Sequence, residues 1–227
     1  MKRSEVNKIL AWSKDFIAEH RFNMPPFAFW TPEDWKHKGH DCDEIRKNML
    51  GWDITDFGLG EFGKYGLVLF TARNGSYSDP NDPKPYAEKI MIVMDGQVCP
   101  LHLHWKKIED IINRAGGQLV IQLFNATKDE KVDRKTPVKV SLDAVVRTVP
   151  AGGEVVLQPG ESITLVQKLY HKFWAKKGTG PVLIGEVSAV NDDKTDNCFA
   201  EKMGRFPKIE EDEPPLHLLC NEYPPAK

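Results

Sequence analysis

The chain has 227 residues, 41% of them hydrophobic, which suits one domain with a buried core and some terminal elaboration. Its net charge of −2 argues against nucleic acid as the main partner. No run of about 18 apolar residues is present, so we expect no membrane-spanning helix. The first residues lack the apolar core of a signal peptide, and the four cysteines form no Cys-x-x-Cys pair. We therefore expect a soluble cytoplasmic protein with reduced thiols.

Residues 1–51 are predicted to form a helical extension that packs on the main domain. Ser4 is a candidate cap for the first helix. The apolar residues that follow recur at helical spacing and form one stripe: Val6, Ile9, Leu10, Phe16 and Ile17. Pro25 and Pro26 end this helix. Thr31 and Pro32 favour the start of a second helix, and residues 43–50 predict a third that Gly51 closes.

From residue 52 the apolar pattern changes to a period of about two, and β-branched and aromatic residues become more frequent. Turn signals such as Asn74-Gly75 and Gly152-Gly153 separate the candidate strands. These strands are residues 52–57, 67–72, 89–94, 98–105, 118–124, 137–140, 154–157, 162–169, 170–174 and 182–189. The pattern predicts an all-β barrel or sandwich over residues 52–190. Residues 191–227 are predicted to form a tail laid across its surface, in which the acidic run 210–213 is solvated.

Three candidate metal ligands lie close together in the middle of the chain. His102 and His104 fall two residues apart in a predicted strand, so both imidazoles point to the same face. Glu109 reaches the same point if the chain turns just after Trp105. Two histidines and a carboxylate that leave coordination positions open suit a divalent metal that takes part in chemistry. The alternative is a chance pair of strand histidines on a solvated face.

The spacing from Gly96 to Gly116 resembles the first conserved motif of the cupin superfamily. The pattern is Gly, five residues, His-x-His, four residues, Glu, six residues, Gly. This resemblance implies a jelly-roll β-barrel that binds a metal inside. In cupins a later histidine completes the ligand set, and the second motif usually carries it soon after a Pro-x-Gly. Here Gly160 follows Pro159 directly, the expected histidine is missing, and His171 is the best candidate for the fourth ligand.

Residues 52–213 further resemble one family of cupins, the D-lyxose ketol-isomerases. The matching stretches are residues 102–110, 160–165, 170–174, 185–193 and 204–207. This resemblance implies an enzyme that interconverts D-lyxose with D-xylulose and D-mannose with D-fructose. It also implies a divalent metal, with Mn²⁺ as the first choice, and a homodimer. Mixed nitrogen and oxygen ligands are also compatible with Co²⁺, Ni²⁺, Fe²⁺ or Zn²⁺.

Such a reaction moves a proton between C1 and C2 and needs a general base within reach of it. Glu186 is the candidate, because a carboxylate in an otherwise apolar strand is costly unless it is paired or functional. Lys107 is a candidate for binding substrate and stabilising an enediolate oxygen. The alternatives are a structural glutamate and a surface lysine. Asp192, Asp193 and Arg205 are candidates for binding sugar hydroxyls.

Two other functions share the same ligand set. An iron-dependent cupin dioxygenase uses similar ligands, so the ligands alone do not separate it from an isomerase. A non-catalytic sugar-binding cupin is the third hypothesis. A paired lysine and glutamate, as in Lys107 and Glu186, is less expected in a dioxygenase than in an enzyme that moves protons.

Overall fold

The structure is a computed structural model that describes residues 1–79, 81–193, 195–204 and 206–227. Within these ranges the chain forms short helices followed by fourteen strands. The helices are α1 (Arg3–Glu19), α2 (Pro32–Trp35) and α3 (Asp43–Lys47), with 3₁₀ turns at Pro26–Phe29 and His40–Cys42. The strands are β1 (Gly51–Thr55), β2 (Leu67–Asn74), β3 (Tyr86–Val93), β4 (Val98–His104), β5 (Glu109–Gly116), β6 (Leu119–Ala126), β7 (Val132–Asp133), β8 (Val138–Leu142), β9 (Val145–Val149), β10 (Glu154–Leu157), β11 (Ser162–Leu165), β12 (Leu169–Ala175), β13 (Val182–Ala189) and β14 (Asn197–Phe199).

The strands form two antiparallel sheets that face each other. The first has eight strands in the order β1-β2-β3-β13-β5-β11-β8-β9. The second has six, in the order β10-β6-β12-β4-β14 with β7 beside β6. The inner faces meet in one apolar cluster that includes Leu69, Met91, Ile111, Ile121 and Phe173. Because side chains alternate along each strand, these inward residues leave the other face of the eight-stranded sheet to be covered from outside.

Helix α1 covers part of that outer face. Val6, Leu10 and Ile17 pack in a second apolar cluster with Phe70 and Ile92 of β2 and β3. The predicted apolar stripe is therefore the buried face of the helix. Ser4 is not the helix cap, as α1 begins at Arg3. None of the helices in the described part of the chain has the length and hydropathy that a bilayer crossing requires.

The C-terminal segment is bound to the start of α1. Buried Arg3 forms ion pairs with Glu211 and Glu222, at 2.6 and 2.5 Å. Ser4 donates to Asp212 through both its backbone N–H and its hydroxyl. Residues 210–213 are all exposed, as expected of a solvated run, and they also contact the N-terminal turn of the helix, where carboxylates are favoured.

Several elements differ from the predicted ones. Strands β5, β7, β9 and β14 were not predicted, and α3 ends at Lys47 instead of continuing to residue 50. Strand β5 lies between β13 and β11, so its backbone is paired on both sides. Its sequence lacks a clear alternation because buried Asn113 occupies an inward position, where its amide donates to the carbonyl oxygens of Gly117 and Leu157. Long-range pairing therefore outweighs the weak local propensity of this segment.

Candidate functional site

The two sheets enclose a cavity of about 60 Å³ between β4 and β12 on one side and β3, β5 and β13 on the other. The predicted metal ligands and the predicted catalytic pair all line this cavity: His102, His104, Lys107, Glu109, His171 and Glu186. Each of these side chains is buried. The apolar part of the wall includes Leu69, Met91 and Phe199. Residues from both sheets and from the β4–β5 connection thus meet at one point inside the barrel.

A β-bulge in β4 sets the direction of the histidines. Cys99 pairs with Phe173 and His102 with His171, so β4 has one more residue than β12 between these pairs. Pro100 lies in this extra length, and proline is tolerated at bulges because it has no N–H to give to the ladder. The bulge places both Cys99 and His102 on the cavity wall. The alternation that aligns His102 with His104 therefore does not continue through the bulge to Cys99.

Backbone carbonyls hold one nitrogen of each histidine ring. Nδ1 of His102 lies 2.8 Å from the Pro100 oxygen, and Nδ1 of His104 lies 3.0 Å from the Asp196 oxygen. Nδ1 of His171 lies 3.1 Å from the Leu169 oxygen. A carbonyl oxygen only accepts, so each Nδ1 carries the hydrogen and each Nε2 of a neutral ring keeps its lone pair. This is the arrangement that second-sphere partners give to metal-binding histidines.

Burial favours the neutral form of two of these rings. It lowers the pKa of His102 to about 3, with the neighbouring His171 adding to the effect. Burial also holds the pKa of His104 well below its ordinary value, and the positive charge of Lys107 acts in the same direction. A neutral imidazole is the form that ligates a metal.

The free nitrogens lie close together, and two of them lie beside one carboxylate oxygen. The ligand nitrogens of His102, His104 and His171 all lie within 4.8 Å of one another. Oε1 of Glu109 is 3.1 Å from Nε2 of His171 and 3.5 Å from Nε2 of His104. Within the described residues, neither that oxygen nor Nε2 of His171 has a hydrogen-bond partner. Lone pairs that face one another without a donor are unfavourable unless a cation lies among them, so these four residues fit a divalent metal.

Lys107 links Glu109 to Glu186. Its Nζ lies 2.7 Å from Oε2 of Glu109 and donates to Oε1 of Glu186 at 2.8 Å. Burial alone would lower the pKa of Lys107, but the two carboxylates outweigh it and raise the pKa above its ordinary value. Burial likewise would raise the pKa of Glu109, but Lys107 and the histidines hold it well below the ordinary value. The lysine therefore stays charged between the two glutamates.

Glu186 is held through one of its two oxygens. Oε1 accepts from Lys107 and from the hydroxyl of Ser188, at 2.8 and 3.1 Å. Lys89 lies 3.5 Å from the same oxygen. No described residue donates a hydrogen bond to Oε2. One oxygen therefore fixes the carboxylate, and the other is available to a ligand in the cavity.

The predicted sugar-binding residues are placed differently from one another. Asp193 lines the cavity and accepts from Nδ2 of Asn197 at 3.2 Å. Asp192 lines a neighbouring cavity of about 550 Å³, which Asp193 also borders. The Asp192 carboxylate accepts from the hydroxyl of Thr195 at 2.6 Å. Arg205 lies outside the described residues.

Sequence reasoning missed Lys89 and Asp196. Asp196 is buried, and its carboxylate accepts from the backbone N–H groups of Lys106 and Lys107 at 2.7 and 2.9 Å. It therefore holds the turn between the histidine pair and Glu109, and its own carbonyl oxygen accepts from His104. Lys89 carried a signal of the same kind as Glu186, a charge among apolar strand residues. Asp196 carried none, because a polar loop aspartate is common.

Fold and cluster together define a cupin-type β-barrel with three histidines and one carboxylate at its centre, which confirms the expected all-β class. A solved structure of Cellulomonas parahominis L-ribose isomerase shares this fold, with a TM-score of 0.58 and 17% identity over 92% of this chain and 98% of that one. A family model described as D-lyxose isomerase matches residues 1–223. The chain belongs to this family of sugar-isomerising enzymes.

Two relatives show how close the similarity is. The chain is 47% identical to a D-lyxose/D-mannose isomerase of Escherichia coli O157:H7 over 224 residues, which is 98% of each chain. It is 48% identical over 225 residues to a D-lyxose/D-mannose isomerase of Serratia proteamaculans, again over 98% of each chain. The similarity therefore extends over both the barrel and the terminal segments.

Proposed function

We propose that the chain interconverts D-lyxose with D-xylulose and D-mannose with D-fructose, by proton transfer between C2 and C1 through a cis-enediol. The names of the relatives at 47% and 48% identity support the choice of aldoses. One observation carries the proposal. Three histidine nitrogens within 4.8 Å of one another, Glu109 beside two of them, and an oxygen of Glu186 to which no described residue donates share one cavity. An aldose–ketose isomerase needs both a metal site and a base, since the C–H bond is weakly acidic until its neighbouring carbonyl is polarised.

The metal site in this proposal consists of Nε2 of His102, His104 and His171 with Oε1 of Glu109. A divalent ion bound there would act as a Lewis acid on the substrate carbonyl. Mn²⁺ is our first choice, and Co²⁺, Ni²⁺, Fe²⁺ and Zn²⁺ suit the same mixed ligands. Nothing in the ligand atoms separates these ions, so metal substitution has to choose among them.

Glu186 acts as the general base in this proposal. Its Oε2 takes the proton from C2 of the open-chain aldose and returns it to C1 of the enediol, while a proton moves from the C2 hydroxyl to the C1 oxygen. The contacts of Oε1 with Lys107 and Ser188 fix the carboxylate, so little reorganisation is needed during the transfer. Protonation of Glu186 leaves Lys107 with less negative charge beside it.

Lys107 balances the charge that the reaction moves. It stays protonated between Glu109 and Glu186, so an ammonium group lies beside the base before the reaction begins. As negative charge leaves Glu186 and develops on the enediol oxygens, Nζ of Lys107 can donate to them. The apolar wall around Met91 and Phe199 keeps bulk water away and strengthens this interaction.

The central experiment follows deuterium and ketose by NMR. Manganese-loaded protein is incubated in D₂O with a panel of aldoses, and deuterium at C2 is measured with ketose formation. We expect exchange and D-xylulose from D-lyxose, loss of both after dialysis against a chelator, and recovery with Mn²⁺. Full activity in metal-free protein would contradict the metal-dependent mechanism. Sugar binding without exchange would favour a non-catalytic protein, and turnover that requires oxygen would favour a dioxygenase.

A further inference from the structure

Lys89 is a buried lysine in the cavity wall that the proposed reaction does not use. It lies on β3 directly opposite Glu186 of β13 in the sheet register. Only 4% of the residue is exposed. Its Nζ donates to Oδ1 of Asn191 at 2.5 Å and lies 3.5 Å from Oε1 of Glu186. An ammonium group is costly to bury unless its environment compensates the charge or a ligand uses it.

Charge pairing with Glu186 uses only part of the ammonium group of Lys89. Lys107 already contacts both Glu109 and Glu186 within 2.8 Å. Lys89 is closer to a neutral amide than to either carboxylate, although its backbone places it across from Glu186. The 3.5 Å separation is within ion-pair distance, so the charges of Lys89 and Glu186 compensate each other across the two strands. Because Nζ is nearer to Asn191 than to Glu186, this charge pairing does not occupy all of its donors.

The ammonium group of Lys89 has donor capacity left for a ligand. It carries three N–H donors. Asn191 accepts one, and Glu186 lies at the limit of hydrogen-bond distance from a second. No described residue accepts the third. Because Lys89 lines the cavity, a ligand there can accept that hydrogen bond.

The order of contacts along the cavity shows which part of a ligand Lys89 would meet. They run from Glu109 to Lys107, then to Glu186, and then to Lys89 and Asn191. The metal-ligand end of this series would hold the reacting carbons, and the base lies in the middle. Lys89 is at the far end, where the rest of the carbon chain would extend.

We propose that Lys89 binds a hydroxyl oxygen of the sugar at a carbon beyond the reacting C1–C2 pair. This inference rests on the proposed isomerase function and adds a specificity-determining residue to it. Lys89 holds the chain in line with Glu186 and selects open-chain aldoses that carry an acceptor at that carbon. An ammonium that donates to a substrate hydroxyl contributes to binding in the ground state and the transition state alike.

The test compares Lys89→Met with Lys139→Met, which removes an exposed lysine from β8. Lys89→Met is expected to raise KM for D-lyxose by roughly 10-fold to 100-fold, with kcat within about threefold of wild type. Metal content and the melting temperature stay near the wild-type values. Lys139→Met keeps the wild-type KM. If Lys89→Met does not fold, Lys89→Gln, whose shorter side chain lacks the charge, is measured in the same way and is expected to raise KM as well.

Deoxy sugars locate the hydroxyl that accepts from Lys89. Wild-type protein is assayed with D-lyxose analogues that lack the hydroxyl at C3, C4 or C5. One analogue is expected to bind the wild type more weakly than D-lyxose does. The same analogue should bind Lys89→Met no more weakly than D-lyxose does, since the two changes remove the same contact. Equal losses in both proteins for every analogue, or a lower melting temperature with unchanged KM, would overturn the assignment.

The same assay separates failure of this inference from failure of the proposed function. Wild-type protein that converts no aldose contradicts the isomerase function and removes the basis for the Lys89 assignment with it. Wild-type protein that converts D-lyxose normally, beside a Lys89→Met variant with unchanged KM, contradicts only the assignment of Lys89.

Discussion

Single atoms decide what this site can do. Each of the three histidines has Nδ1 fixed by a carbonyl oxygen, which leaves Nε2 as the nitrogen for a ligand. Glu186 shows the same division, because Oε1 accepts from Lys107 and Ser188, whereas no described residue donates to Oε2. When one atom of a side chain is fixed by a hydrogen bond, the other is held in place for the reaction and need not move during it.

The first prediction concerns the base. Glu186→Gln is expected to lower kcat for D-lyxose by about 100-fold to 10,000-fold, because an amide cannot accept the C2 proton. Metal content, measured by elemental analysis of the purified protein, should stay at the wild-type level. Glu154→Gln, at an exposed position of β10, serves as the matched control and should keep full activity. An active Glu186→Gln enzyme would remove Glu186 from the mechanism.

The second prediction concerns Asp196. Asp196→Ala removes the acceptor for two backbone N–H groups in the turn that leads to Glu109. We expect metal affinity to fall by about 10-fold to 100-fold, as for other residues that orient metal ligands. Titration of the metal-free protein with Mn²⁺ in a calorimeter measures this directly. Unchanged affinity would show that the turn keeps its shape without the carboxylate.

At the scale of the elements, the site depends on strands from two sheets. Strands β4 and β12 supply the histidines, β5 supplies Glu109, and β13 and β3 supply Glu186 and Lys89. The sheets must therefore stay packed for the ligand atoms to meet. Helix α1 contributes by covering the outer face over β2 and β3, where Leu10 and Phe70 are completely buried.

The third prediction tests how much helix α1 stabilises the barrel by covering this face. Leu10→Ala removes a side chain that is 0% exposed, and we expect the free energy of unfolding to fall by about 2–5 kcal/mol. Urea unfolding followed by circular dichroism measures the loss. Lys8→Ala, on the exposed side of α1, should change the free energy by less than about 0.5 kcal/mol. A small effect of Leu10→Ala would mean that the helix contributes little to the stability of the barrel.

At the scale of the whole molecule, the two ends of the chain are bound together over one face of the larger sheet. Arg3 pairs with Glu211 and Glu222, and His217 lies between Lys14 and the carbonyl oxygen of Trp30. Division into residues 1–51, 52–190 and 191–227 stays a prediction. So do the homodimer and the cytoplasmic location, of which sedimentation of the purified protein tests the first.

The fourth prediction concerns pH. Burial lowers the pKa of His217, and the charge of Lys14 adds to this, so the unfolded chain binds more protons than the folded one below about pH 6.5. The stability that neutral, buried His217 contributes is therefore present above about pH 6.5 and is lost as the pH falls towards its lowered pKa. Between about pH 7.5 and about pH 5, the melting temperature of wild type should fall more than that of His217→Gln.

Exposed His37 provides the control for this comparison. Its side chain is 75% exposed, so His37→Gln should keep the pH dependence of the wild type. The histidines of the cavity are present in every variant, and their effect cancels when melting temperatures are compared between variants. If the melting temperatures of wild type and His217→Gln changed in parallel with pH, a contribution from buried His217 would be contradicted.

Much of the site could be predicted because its signals are local. His102, His104 and Glu109 lie within eight residues of each other, so alternation along a strand and one turn are enough to bring them together. Glu186 and Lys107 were recognisable as charges in apolar surroundings. Strands β5 and β14 were not predictable, because pairing with distant strands, and not local propensity, makes them extended.

The sequence by itself determined the class of barrel, the metal-ligand spacing and the apolar stripe of α1, since each follows from the period of side chains along one element. Only the tertiary structure decided the bulge at Pro100, the hold of Asp196 on the turn, and the position of Lys89 beside Glu186. These depend on strand register and on contacts across about 90 to 100 residues of chain, to which local side-chain periodicity is insensitive.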